Sequence, residues 1–177
     1  MVAGSKSNII LVGFMGTGKT TVGRALAKNL RRPFVDTDAR LETMEELSVA
    51  QIFRTQGEGI FRTKERQVIS QVCKSSGQVI ATGGGAIVDQ QNVNTMKSSG
   101  CIICLTARPE VLIRRLEGDH TRPLLRNPHP LERINALLVE RSDAYAQADF
   151  SVDTSDQNTK LTVEAIKATL DRMNFPL

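Results

Sequence analysis

The run Gly13-Phe14-Met15-Gly16-Thr17-Gly18-Lys19-Thr20 matches the pattern G-x-x-x-x-G-K-[ST] in full. Its chemistry is anion binding. Glycines let the backbone curl so that successive N–H groups point inward at phosphate oxygens. A helix beginning near Lys19 adds the positive end of its dipole. Lys19 is then placed to reach the β- and γ-phosphates of a nucleoside triphosphate, and the Thr20 hydroxyl to ligate Mg²⁺. Gly13, Gly16, Thr17, Gly18, Lys19, Thr20 and the adjoining Thr21 are the candidate ATP-binding residues. An apolar strand signal before the motif and a helical one after it argue against a plain glycine turn. The motif alone leaves open a loop that binds nucleotide without transferring a phosphoryl group.

Two more groups of residues could carry chemistry. Asp36-Thr37-Asp38 ends the next apolar run. Carboxylates two apart on an extended chain point the same way. Beside a phosphate loop, that pair suits a metal ion and a substrate hydroxyl, whereas in isolation Asp38 reads as a helix cap. Gly83-Gly84-Gly85 follows a third apolar run, and three glycines permit close backbone approach with free N–H groups. Cys101 and Cys104 form a C-x-x-C, but they fall in a strand-like run where positions three apart face opposite sides. Buried packing is the reading for both. His120 and His129 stand alone, without partners at ligand spacing, and are read as exposed loop residues.

The elements that must position these groups follow from periodicity. Strands are expected at 8–12, 34–36, 78–82, 101–106 and 150–152. Helices are expected at 19–30, at 38–56 in two pieces broken near Leu47-Ser48, at 59–75, 92–98, 110–116, 131–146 and 161–173. Such alternation indicates an α/β domain with a mostly parallel sheet. Ligands in these sheets sit at the carboxyl ends of the strands, and every motif above falls just after a strand. Between 117 and 130, Gly118, Pro123, Pro128 and Pro130 interrupt any period, and a loop of this length inside a compact domain is usually functional.

The chain has 177 residues, enough for one domain, 1–177, with a sizeable core. Its 40% hydrophobic and 24% charged content is that of a soluble globular protein. Aromatics make up 4% with no Trp, which disfavours a stacking platform for single-stranded nucleic acid. The net charge of +4 is spread along the chain, so it is read as local anion binding and not as a nucleic-acid surface. Three cysteines argue against a disulfide framework and for a reducing compartment. No stretch is apolar enough to span a bilayer. The expectation is a cytoplasmic monomer, or a plastid one if a transit peptide has been trimmed.

These motifs together resemble the shikimate kinase family. The resemblance rests on 13–20, Asp36-Thr37-Asp38, Ser48-Val49-Ala50-Gln51-Ile52-Phe53, Gly57-Glu58, Phe61-Arg62 and Glu65. It continues through Ala81-Thr82-Gly83-Gly84-Gly85, Arg122-Pro123-Leu124-Leu125, Arg141 with Tyr145, and Val152-Asp153-Thr154. Two departures are Met44-Glu45-Glu46-Leu47, where many members have a Gly, and Asp143-Ala144, where many have Pro-Leu. The resemblance implies a three-layer α/β/α P-loop kinase fold with a five-stranded parallel sheet in the order 2-3-1-4-5. It further implies an ATP-dependent kinase that phosphorylates the 3-hydroxyl of shikimate, using helices at about 38–66 for the acceptor.

Residue by residue, the resemblance implies Arg62 and Arg141 on the acceptor's carboxylate, a task suited to forked guanidinium donors. Glu65 then orients Arg62 from the next helical turn. Asp38 positions the reacting hydroxyl first and acts as its base second, Gly83, Gly84 and Gly85 line the acceptor cavity, and Asp36 joins Thr20 on Mg²⁺. Phe53 and Phe61 would be apolar walls or plain core. Arg115 resembles an adenine-stacking arginine; the alternative is an exposed charge paired with Glu110 or Glu117. Arg122, in the breaker-rich segment at about 117–130, would close as a lid residue onto the transferring group. Catalytic roles thus fall to Lys19, Asp38 and Arg122. Rival readings are a gluconate kinase-like enzyme on the same scaffold and a non-catalytic nucleotide-binding homologue.

Overall fold

The computed structural model describes residues 7–117 and 129–177. Its centre is a parallel sheet of β1 (Asn8–Val12), β2 (Phe34–Asp36), β3 (Val79–Ala81), β4 (Gly100–Thr106) and β5 (Phe150–Asp153), in the order β2-β3-β1-β4-β5. β1 is central, pairing Ile10 with both Ile80 and Ile102. All five of its residues are buried, as expected of a strand covered on both faces.

Side-chain alternation divides the sheet into two cores. Ile9, Leu11, Val79, Cys101, Ile103 and Leu105 pack on α1 (Lys19–Leu30) and α8 (Thr159–Arg172). Ile10, Val12, Ile80, Ile102 and Cys104 pack on α3 (Val49–Val72) and α4 (Gln90–Ser99). The two cysteines therefore lie on opposite faces. Burial pushes the Cys101 thiol up to about 12 and that of Cys104 up to about 11. Both stay protonated, as the packing reading requires. A third cluster joins Phe14 of the phosphate loop to Leu112 of α5 (Pro109–Leu116) and to Ile134 and Leu137 of α6 (Pro130–Glu140).

Three departures from expectation bear on the site. α2 (Thr37–Glu45) starts one residue early, so Asp38 sits inside a helix and not on extended chain. The cap anticipated for Asp38 belongs to Asp36, whose carboxylate accepts from the N–H groups of Asp38 and Ala39. The helices expected at 49–56 and 59–75 form one span bent at Gly57, whose φ of 82° and ψ of 168° break the helical path. The predicted break near Ser48 is present, closed by a capping box in which Ser48 and Gln51 satisfy each other's backbone N–H groups. The helix expected at 131–146 breaks at Arg141, leaving α7 (Ser142–Tyr145) as a separate turn. No helix among the described residues is long and apolar enough to cross a membrane.

Asp89 locks α4 to α3: it accepts from the Gln91 N–H at the helix start and from Arg66, 2.8 Å away. Burial opposes its charge, but Arg66 and the backbone N–H groups outweigh that and lower its pKa. A lowered carboxylate pKa contributes stability above the unfolded-state value and loses it as pH falls through the folded value. Asp89→Ala is expected to cost about 1 kcal/mol at neutral pH. In urea melts the difference from wild type should shrink as the pH is lowered through the acid range.

Candidate active site

Backbone N–H groups can face an anion only where the intervening carbonyls face elsewhere. In the loop between β1 and α1 they do. Lys19 Nζ donates to the carbonyls of Gly13 (2.8 Å) and Phe14 (3.0 Å), and Thr17 Oγ1 donates to that of Phe14 (2.8 Å). Gly13 is required by crowding: a Cβ there would lie 2.2 Å from the Leu105 carbonyl oxygen. Lys19 is itself buried, so its charge is concentrated where phosphate would bind. Gly18, in a left-handed conformation, leads into α1.

The acidic pair divides its work. Thr20 Oγ1 donates to Asp36 Oδ2 across 2.8 Å, which joins the first turn of α1 to the end of β2. Asp38, in the first turn of α2, points at Gly83 instead. A methyl on Gly83 would sit 2.8 Å from both Asp38 Oδ1 and Glu65 Oε1. One on Gly85 would sit 2.8–2.9 Å from both terminal nitrogens of Arg62. One on Gly84 would lie 3.2 Å from the Met15 amide of the phosphate loop. Each glycine therefore gives up its side chain to a different neighbour, and the turn joins the carboxylates, the guanidinium and the phosphate loop.

Glu65 is 2% exposed and bonds Arg62 Nη1 at 2.8 Å, as its spacing three residues on predicts. Glu58 reaches the same guanidinium from the other side. Burial works against the Arg62 charge, but the two glutamates overcome it and raise its pKa. Arg62 is always cationic. Burial pushes the Glu65 carboxyl up despite Arg62, and nearby Asp38 adds to the rise. Glu65 Oε1 has no hydrogen-bond partner among the described residues. Phe53 and Phe61 stack with centroids 4.4 Å apart, and Arg62 lies over Phe61. Phe61 is buried, as the plain-core reading has it, and Phe53 is exposed.

Arg141 occupies the α6–α7 break, with its guanidinium carbon 5.9 Å from the Phe14 ring centroid. Tyr145, a turn later, donates its hydroxyl to the Gly84 carbonyl at 3.0 Å. Burial raises the Tyr145 phenol, and Arg141 beside it opposes the shift. Arg62 thus reaches the glycine turn at Gly85 from α3, and Arg141, at the α6–α7 break, lies beside the tyrosine that holds Gly84.

Arg115 does not pair with Glu110 or Glu117. It donates to Thr154 Oγ1 (2.9 Å), the Thr154 carbonyl (2.5 Å) and the Gly16 carbonyl (3.3 Å). Arg66 and Arg24 contact Asp89 and the Phe34 ring. Arg122 and His120 lie outside the described residues, as does most of the proposed lid. His129 is exposed, as anticipated. Tyr145 and Thr154 entered the sequence reading only inside motifs; the position of Thr154 just past a strand was the available signal. Buried Arg32, bonded to the carbonyls of Ser7 and Pro176, had none.

The family model described as Shikimate kinase matches residues 15–171. The chain belongs to the shikimate kinase family. A relative named shikimate kinase from Pelotomaculum thermopropionicum is 44% identical over 95% of this chain and 98% of its own length. A solved structure described as shikimate kinase from Acinetobacter baumannii in complex with shikimate covers 94% of each chain at 35% identity, with a TM-score of 0.89. A gluconokinase from Sinorhizobium meliloti aligns with a TM-score of 0.60 at 18% identity, which speaks for shared fold alone. The family's fold, a five-stranded parallel sheet in the order 2-3-1-4-5, is the one observed.

Crowding at Gly83 comes from the tips of two side chains, which can move, so a methyl there should spare the fold and displace the site. Gly83→Ala is expected to raise KM for the acceptor roughly ten-fold or more, about 1.4 kcal/mol per factor of ten, with KM for ATP and the melting temperature nearly unchanged. Steady-state kinetics with calorimetric melting check this.

Proposed function

We propose that the chain transfers the γ-phosphoryl group of ATP to the 3-hydroxyl of shikimate, releasing ADP and shikimate 3-phosphate. The observation that carries this reading is the glycine turn: Gly84 rests on the phosphate loop while Gly83 and Gly85 receive the Asp38 and Arg62 side chains. A ring acid held there by Arg62 and Arg141 lies next to the phosphates. Asp38 accepts a hydrogen bond from the reacting hydroxyl and orients it. The hydroxyl oxygen forms a bond to the γ-phosphorus as the bond from that phosphorus to the β–γ bridging oxygen breaks. The hydroxyl proton passes to Asp38 or to the transferred phosphoryl group. The transition state is loose and asks little of a base, so positioning is the larger part of the Asp38 role.

Gly13, Gly16, Thr17, Gly18, Thr20 and Thr21 hold the phosphate chain, with Lys19 neutralising it. Thr20 and Asp36 are hard oxygen donors already in contact, and they suit Mg²⁺. Among the described residues no group of three or more His, Cys, Asp or Glu could hold a metal, so further ligands would come from phosphate oxygens and water. Bound Mg²⁺ would offset negative charge on the phosphates. Arg115 lies over the adenine, and Arg122 closes onto the transferring group and helps exclude water. Three free cysteines fit a reducing, cytoplasmic compartment.

ADP release measured with shikimate, with gluconate and with no acceptor tests the reading. Turnover is expected with shikimate alone. Equal rates without acceptor would point to a plain ATPase, and turnover on gluconate would point to the rival kinase. Arg141→Ala removes charged hydrogen bonds worth about 1.5–3 kcal/mol each. It should raise KM for shikimate roughly 10–100-fold, with KM for ATP within about two-fold of wild type. Arg122→Ala should lower kcat by roughly 10³-fold or more, with ATP binding by titration little changed. Near-wild-type turnover would remove Arg122 from the mechanism.

A further inference from the structure

Thr154 is 3% exposed and lies just past the end of β5, in the first residues of the connection to α8. Its contacts reach three other segments. Its N–H donates to the Thr106 carbonyl at the end of β4 (2.9 Å). Its hydroxyl oxygen lies 3.1 Å from the Thr17 carbonyl of the phosphate loop and 3.0 Å from that same Thr106 carbonyl. It accepts from Arg115 Nη1 at 2.9 Å, and that nitrogen also reaches the Gly16 carbonyl. A hydroxyl has one proton to give. The Thr106 carbonyl already receives the Thr154 N–H, so donation to Thr17 is the use that satisfies a further carbonyl.

Gly16 and Thr17 are consecutive in the loop, and both of their carbonyls are drawn toward the Arg115–Thr154 pair. Turning either peptide over would aim a carbonyl oxygen at phosphate, and turning that of Thr17 would also withdraw the Gly18 N–H from it; the Thr17 N–H itself donates to the Phe14 carbonyl (3.3 Å). Lys19 and Thr17 Oγ1 hold the carbonyls of Gly13 and Phe14 in the same manner from within the loop. We propose that Thr154, with Arg115 bonded to it, is a positioning residue that braces the phosphate loop from outside and so sets the affinity of the loop for the polyphosphate chain. Arg115 then acts on the phosphates through the backbone, beyond any contact with the base. This rests on the reading of 13–20 as the ATP phosphate site.

The probe is inorganic tripolyphosphate, which carries the phosphates without a base. It is titrated calorimetrically into wild type, Thr154→Val, Thr154→Ser and Arg115→Leu, alongside steady-state kinetics. Thr154→Val is expected to weaken tripolyphosphate binding roughly ten-fold and to raise KM for ATP in step, with KM for shikimate unchanged. Thr154→Ser, which keeps the hydroxyl, should restore both. Arg115→Leu, a surface change that does not depend on tolerance of the buried site, should also weaken tripolyphosphate. If it weakens ATP alone, Arg115 works only through the base and the brace is overturned. Wild-type tripolyphosphate affinity in Thr154→Val overturns it equally. Failure of wild type itself to bind tripolyphosphate removes the phosphate-loop reading, and the brace with it.

Discussion

The site depends on which way a few peptide groups face. A loop that binds phosphate by its N–H groups must dispose of as many carbonyls, and a carbonyl turned inward would repel the ligand it should hold. Here the outward carbonyls of Gly13 and Phe14 are taken by Lys19 and Thr17 from within the motif, and those of Gly16 and Thr17 by Arg115 and Thr154 from elsewhere in the chain. The loop is therefore completed by residues nearly a hundred or more positions away in sequence.

The same economy appears at the glycine turn. Gly83, Gly84 and Gly85 are pressed by carboxylates, by the phosphate loop and by a guanidinium, so that any side chain would occupy space used by a functional group. Crowding, more than flexibility, explains three consecutive glycines there. It brings Asp38 and Arg62 to a turn that rests on the 13–20 loop, without an intervening layer of protein. Pre-positioning of this kind lowers the entropic cost of bringing two reactants together.

Charge around the glycine turn is balanced locally. Arg62 is flanked by Glu58 and buried Glu65, and Asp38 stands close to Glu65 at the same glycine. With Nε and Nη2 on Glu58 and Nη1 on Glu65, the fork is fixed before a ligand arrives. The bends in the helices serve the same end. Gly57 redirects α3 just before Arg62, and the α6–α7 break falls on Arg141 itself.

Much of the fold was legible from the residues alone, because it depends on local rules. Apolar runs covered on both faces become central strands, 3.6-residue periodicity becomes helices, and the phosphate-loop pattern falls between one of each. The sheet order was reached through family resemblance, as were the roles proposed for Arg62, Arg141 and Asp38, since nothing in a single run of residues states what lies beside it. The early start of α2 was missed because Asp36 and Asp38 are equally good caps by type, and only the junction with β2 selects between them. What the tertiary structure alone decided are the long-range contacts: Thr154 under the phosphate loop, Tyr145 on Gly84, and Arg115 turned away from Glu110 and Glu117. Each is a hydrogen bond between segments brought together by sheet order, and spacing along the chain carries no trace of it.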